Sequence, residues 1–247
     1  MVVNAHAHLG DTVVFDAENF EEPLIESMDG AGIDASIVMP SAGASDAAAI
    51  HDRIHAMGLK WSNRIFGMIQ YNPHAPDEEI WSEAERCVKK LGFVAIKMHT
   101  HASAVNPLGR SARRLATIAR HFAIPLMIHT GAGAPWALPS LTIPLAREFS
   151  DVPFVLAHAG HSIYSAEAWI AATVCDNIYL EPSWCNPSDI ATMIAKVGVK
   201  RVMFGGDLSI NFAAEVAKFR SLGLPAEELN WCLARTAIEL FKLPLII

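Results

Sequence analysis

Residues 92–130 run GFVAIKMHTHASAVNPLGRSARRLATIARHFAIPLMIHT. Two β-rich apolar stretches, FVAIKMH (93–99) and PLMIHT (125–130), flank a helical pattern over 108–122. Neither stretch alternates apolar and polar residues. Near-continuous apolar strands belong to parallel sheets covered on both faces. A helix between two such strands is a right-handed crossover unit.

The same unit repeats in both directions. Further strands are predicted at VVNAHAHL (2–9), ASIVMP (35–40), RIFGMIQY (64–71), PFVLAHA (153–159), NIYLEPS (177–183) and RVMFGGD (201–207). Helices are predicted over 18–31, 45–60, 76–91, 138–149, 163–174 and 186–197, and two more follow near 211–221 and 225–241. Gly58, Gly92, Gly198 and Gly223 fall where helices should end in a left-handed residue. Eight strand–helix units predict a (β/α)8 TIM barrel, in the α/β class, with extra C-terminal helices. An open doubly wound sheet is the competing architecture, but no glycine-rich phosphate loop follows the first strand. Gly131-Ala132-Gly133 is only a turn signal. No linker or charge run interrupts residues 1–247, so one domain is expected.

Composition excludes several roles. Hydrophobic residues make up 52% and charged residues 18%, which suits a large core rather than a disordered chain. A net charge of −7 is a poor match for nucleic acid or anionic membrane. No apolar run approaches the roughly 20 residues of a membrane helix. Cys87, Cys175, Cys185 and Cys232 form no CxxC pair and are expected to be free thiols in a reducing compartment. The N-terminus lacks the features of a signal peptide. A cytoplasmic protein acting on a small-molecule substrate is expected, with homodimerisation compatible but carried by no segment.

Polar residues recur at the C-terminal ends of the strands, where a β/α barrel carries its active site. His6 and His8 flank Ala7, so strand alternation points both imidazoles the same way. His129, His158 and Asp207 end three other strands at the same level, each a potential ligand or proton carrier. Imidazoles with one carboxylate make an ordinary zinc environment. Lys97, His99 and His101 share a face by alternation, which makes His99 a candidate for substrate contact and leaves His101 on a loop. Glu181 is placed either to hydrogen-bond a ligand histidine or to pair with Lys97. Trp136 and Trp184 lie on loops that wall a pocket or pack locally. His51 and His55 superficially match a zinc helix but are expected on a solvated helix face. His161 and Ser162 are expected to serve loop structure or to support the site from behind, and His74 and His121 to lie at the surface.

The motifs NAHAHLG (4–10), GFVAIKMH (92–99), IPLMIHTG (124–131), FVLAHAGHS (154–162), NIYLEPS (177–183) and VMFGGD (202–207), with the tail at 224–243, resemble the amidohydrolase superfamily. The resemblance is to its amidohydrolase-related branch of metal-dependent hydrolases and decarboxylases, which includes aminocarboxymuconate semialdehyde decarboxylase. It implies that His6, His8, His129 and Asp207 hold a divalent metal, zinc first among the candidates. It implies proton handling by Asp207, and for His158 contact with substrate or a second metal. Lys97 is either a carboxylated bridge between two metals or a residue paired or in contact with a substrate carboxylate. Asp207-Leu208-Ser209-Ile210-Asn211 departs from the proline-containing loop usual there, and Thr236-Ala237 replaces a common asparagine-alanine.

The leading expectation is hydrolysis of an amide, ester or lactone-type bond by metal-activated water, whose pKa falls from about 15.7 to about 7 on zinc. Asp207 then serves as general base and acid, and His158 stabilises the oxyanion. The alternative is non-oxidative decarboxylation of a small carboxylic acid on the same site. Metal-free lactonase chemistry and non-enzymatic binding on a retained barrel follow behind.

Overall fold

Strand and helix alternate as the apolar runs predict. The computed structural model describes residues 1–14, 16–131 and 135–246. It opens with β1 (Val3–Thr12), β2 (Ala17–Asn19), α1 (Glu21–Ala31), β3 (Ala35–Pro40), α2 (Ala47–Lys60), β4 (Ile65–Gln70) and α3 (Asp77–Lys89). Next come β5 (Ala95–Met98), α4 (Arg110–Phe122), β6 (Leu126–His129), α5 (Thr142–Glu148), β7 (Phe154–Ala157), α6 (Ser165–Val174), β8 (Ile178–Glu181) and α7 (Pro187–Val197). The chain ends with α8 (Phe212–Arg220), α9 (Ala226–Asn230), a π-helical turn (Trp231–Arg235) and α10 (Thr236–Leu240). The turn expected at 131–133 lies partly outside the described residues.

The strands β1, β3, β4, β5, β6, β7 and β8 pair in that order, all parallel. The barrel is closed by residues 202–207, which are not a regular strand. Single parallel bridges join Leu180 to Val202 and Ala7 to Asp207. Met203 N–H donates to Leu180 O (2.9 Å) and Ala5 N–H to Phe204 O (3.0 Å). The result is a (β/α)8 barrel whose last strand is loosened at Gly205-Gly206. One element was not expected. β2 pairs antiparallel with the end of β1, matching Gly10 to Asn19, and the pair stands over the barrel mouth.

Side-chain alternation splits the core in two. Val38, Ile69, Ile96, Leu126, Leu156 and Leu180 pack outward with the helices. Val3, Ile37, Met39, Met68, Met127, Val155 and Met203 fill the lumen. Ile238, Phe241 and Leu243, from α10 and the tail beyond it, pack onto this lumen cluster. No described helix is long and apolar enough to cross a membrane. All four cysteines are free and buried.

Two expectations are corrected. Gly58 does not end a helix. It lies inside α2, where a Cβ would come within 3.1 Å of Ile65 O, so the helix approaches the strand closely there. Gly92, Gly198 and Gly223 do take positive φ, as expected. His51 is not solvated but fully buried. Its Nδ1 lies 2.7 Å from Glu83 Oε1 and its Nε2 accepts the Gln70 N–H at 3.2 Å. A polar imidazole is buried at low cost when both nitrogens are paired. His55 is half-buried against Leu91 O.

Candidate metal centre

The histidines of β1 owe their direction to a bulge. Register shifts between Asn4 and Ala7, so Val3 and Ala5 face the lumen while Ala7 and Leu9 face the helices. The extra residue resets the alternation and aims both His6 and His8 inward. Asn4 holds the bulge in place. Its Oδ1 accepts the N–H of His6 (3.0 Å) and of Gly206 (2.8 Å), tying β1 to the closing segment.

Hydrogen-bond partners fix the state of both rings. His6 Nδ1–H donates to Glu181 Oε2 at 2.7 Å, and His8 Nδ1–H donates to Pro40 O at 3.1 Å. Each Nε2 therefore carries a lone pair. These two atoms face one another at 3.1 Å. Asp207 Oδ1 joins them, 3.2 Å from His8 Nε2 and 3.5 Å from His6 Nε2. Burial raises the carboxyl's affinity for a proton, but the surrounding imidazoles, His158 first, hold it well below its ordinary range. Three electron-pair donors converge here, with the Lys97 ammonium against His6 Nε2 at 2.9 Å, and such a cluster makes a cation site. The donor set, imidazole plus carboxylate oxygen, fits a first-row divalent metal.

Glu181 takes the first of the two roles open to it. Beyond His6, its carboxylate accepts the backbone N–H of Ser183 (2.7 Å) and the Ser183 hydroxyl (3.2 Å). Ser183 Oγ in turn accepts His158 Nδ1–H at 2.8 Å, which leaves the Nε2 of His158 an acceptor. A ligand histidine whose far nitrogen is anchored on a carboxylate is the usual arrangement behind a metal. Lys97 is not within ion-pair distance of Glu181. Its Nζ sits 2.9 Å from His6 Nε2, fully buried, and burial outweighs the nearby carboxylates to bring its pKa down to about 8.

His129 stands apart from the three-donor cluster. It shares no group of mutually close donors with His6, His8 and Asp207. Both its ring nitrogens are nevertheless buried without a partner. Its ring stacks on His99 at 4.1 Å and meets His158 at 4.8 Å. A buried imidazole with two orphan nitrogens is costly unless something fills the gap. His6, His158 and Glu181 form a second close group, through the same carboxylate.

All of this opens into a cavity of about 570 Å³. Six imidazoles line it, from His8, His99, His101, His129, His158 and His161. Apolar side chains such as Trp184, Leu208 and Ile210 share the rest of the wall with Thr12, Asn19, Ser41 and Ser209, and no described arginine or lysine reaches it. Two lining residues carry more weight than the sequence suggested. His161 stacks on His158 at 4.5 Å, and Trp184 donates its indole N–H to Asp207 Oδ2 at 2.7 Å. Trp136 does not line the cavity, and His74 is exposed against Ser103 O. Asp207, His158, His161 and Trp184 all have left-handed backbones, with φ from 49° to 67°. Non-glycine residues held there cluster at functional sites, because only a specific surrounding structure keeps them.

One further close group, His51, Glu83 and Cys87, is structural. His51 is paired at both nitrogens, Glu83 is held by Arg86, and burial pushes the Cys87 thiol well up.

The Amidohydrolase family model matches residues 3–243, so the chain belongs to that family. No curated protein matches the sequence. A candidate amidohydrolase from Staphylococcus aureus is similar in structure, with a TM-score of 0.80, 14% identity, and 98% and 99% of the two chains covered. So is 5-carboxyvanillate decarboxylase from Novosphingobium aromaticivorans with manganese, at 0.79, 16% identity, and 98% and 96% coverage. Dihydroxybenzoic acid decarboxylase from Polaromonas sp. JS666, also with manganese, matches at 0.76, 16% identity, and 99% and 98% coverage. At these identities the likeness is one of fold.

Two outcomes follow. A Cβ at position 205 would lie 2.4 Å from the Glu181 carboxyl. Gly205→Ala therefore displaces the anchor of His6 and weakens metal binding by about 10–100-fold, read by chelator competition. Unchanged affinity would show that Glu181 does not govern the site. The second concerns pH. Burial holds His99, His129 and His158 well below their ordinary 6.5, and lowers His6 and His161. The unfolded chain binds these protons near 6.5 and the folded chain does not. The metal-free protein is then fully stable above that pH and loses stability as pH falls below it. Denaturant unfolding at pH 7.5 and 5.5 checks this; equal stabilities would contradict it.

Proposed function

We propose that this protein is a metal-dependent, non-oxidative decarboxylase of a small, flat carboxylic acid. The observation that carries the reading is the cavity wall. Imidazoles, apolar side chains and a few hydroxyl and amide groups surround three convergent donors, and among the described residues no arginine or lysine lines the wall to hold a carboxylate. Orientation of an acid substrate would then rest with a divalent metal that His6, His8 and Asp207 could hold, with His129 alongside. When bound, a divalent ion supplies positive charge that fixes a substrate oxygen and draws electron density.

The chemistry suits such a cavity. In decarboxylation the bond from ring carbon to carboxyl carbon breaks, the electron pair stays on the ring, and neutral CO2 leaves. A proton then takes its place on the carbon. Charge is more spread out in the transition state than in the carboxylate, so the apolar part of the wall disfavours the starting carboxylate more than the transition state. Asp207, ionised here, takes up a proton from solvent on a carboxylate lone pair that the Trp184 indole leaves free and delivers it to the ring carbon. His158, its Nδ1–H fixed on Ser183, offers Nε2 as acceptor to a ring hydroxyl. His99 and His161, which line the cavity, wall the ring.

The two manganese-containing decarboxylases of like fold support this reading, and they make manganese as reasonable an occupant as zinc. Hydrolysis on the same donors remains the second reading, favoured by the family description.

One experiment separates them. Manganese-loaded protein is incubated with 2,6-dihydroxybenzoate, 5-carboxyvanillate, and a panel of lactones and amides in 18O-labelled water. Release of CO2 from a benzoate is expected, with kcat reduced by about 10²–10⁴-fold in Asp207→Ala. Hydrolysis of a lactone or amide with 18O in the product, and no CO2, would make the protein a hydrolase.

A further inference from the structure

The three convergent acceptors do not hold themselves in place. His6 is anchored through Nδ1 on Glu181 and His8 through Nδ1 on Pro40 O. Asp207 has a corresponding partner of an unusual kind. Its Oδ2 accepts the indole N–H of Trp184 at 2.7 Å, while Oδ1 faces the histidines.

We propose that Trp184 is the positioning residue for Asp207, dedicating one carboxylate oxygen to the indole and the other to the metal. This rests on Asp207 being a metal donor and not on which reaction the site performs.

The surroundings of Trp184 fit the role. Its backbone is left-handed at φ 67°, which a bulky residue adopts only when held. The hold comes from Glu215. This buried residue of α8 accepts the Trp184 backbone N–H at 3.0 Å and pairs with Lys218 at 2.7 Å. Asp207 is itself left-handed at φ 59°, at the irregular end of the closing segment, so its carboxylate direction is not set by a regular strand. An indole is a donor only. It cannot reverse the bond, as a hydroxyl or water could, so Oδ2 stays an acceptor of that one proton. The ring also lines the cavity and is 42% exposed, so a simple wall is the competing role.

Two substitutions separate the roles. Trp184→Phe keeps an aromatic wall and removes only the N–H; Trp184→Ala removes both. Zn2+ and Mn2+ affinities are measured by chelator competition on metal-free protein, with thermal unfolding as the control for folding. Both variants should bind metal about 10–100-fold more weakly than wild type. Wild-type affinity in Trp184→Phe, whatever Trp184→Ala does, would make Trp184 a wall and overturn the proposal. A wild type that binds neither ion would overturn the metal reading and this inference with it.

A second readout needs no folded Trp184 variant. The chain has six tryptophans, so 15N-tryptophan labelling gives six indole N–H signals. The one lost in Trp184→Phe, or failing that variant the one shifted in Asp207→Ala without metal, should also shift when Zn2+ is added to wild type. If no indole signal responds to both Asp207→Ala and Zn2+, the indole is not bonded to that carboxylate and the proposal fails.

Discussion

Two imidazole lone pairs facing each other at 3.1 Å repel unless a cation stands near them, and much of the molecule serves to keep them there. The protons that could have relieved the contact are committed elsewhere, on Glu181 and on the Pro40 carbonyl. Asp207 adds a third acceptor to the same point. Without metal, the nearest positive group is Lys97, 2.9 Å from His6 Nε2. The site is thus built for a charge that no described side chain fully supplies. The arrangement costs stability in the metal-free protein, as orphaned nitrogens on His129 and depressed imidazole pKa values also indicate.

The surrounding fold makes this arrangement affordable in structural terms. The lumen below the site is filled by apolar side chains, and α10 with the tail beyond it packs onto the same cluster. That rigid packing positions the strand ends from which every donor projects. Function then lives on the irregular features laid over the barrel: the bulge in β1, the paired glycines of the closing segment, and the left-handed residues around the cavity. Each departs from regular strand geometry, and each directs a polar side chain.

The alternating architecture was legible because parallel strands buried on both faces leave long apolar runs, and the helices between them carry ordinary starts and stops. That His6 and His8 share a face was legible from alternation, since a bulge before both leaves their mutual spacing intact; that the face is the inner one was set by the bulge. Other features left no such trace. β2 is three residues long, two of them exposed, with no apolar pattern. Gly205 looks like a turn signal, yet its reason is the Glu181 carboxyl packed against it across the barrel. The burial of His51 depends on Glu83, 32 residues away on the next helix. Trp184 and His161 sit on loops, where no periodicity points a side chain, so nothing in the sequence sets them beside Asp207 and His158.

The central claim is that His6, His8 and Asp207 converge to hold a metal. The most direct measurement is elemental analysis of the purified protein, in parallel with the double variant His6→Ala/His8→Ala. The account predicts about one equivalent of a first-row divalent ion in the wild type, lost in a variant that still folds. A folded wild type that carries no metal and takes none up on addition of Zn2+ or Mn2+ would contradict it.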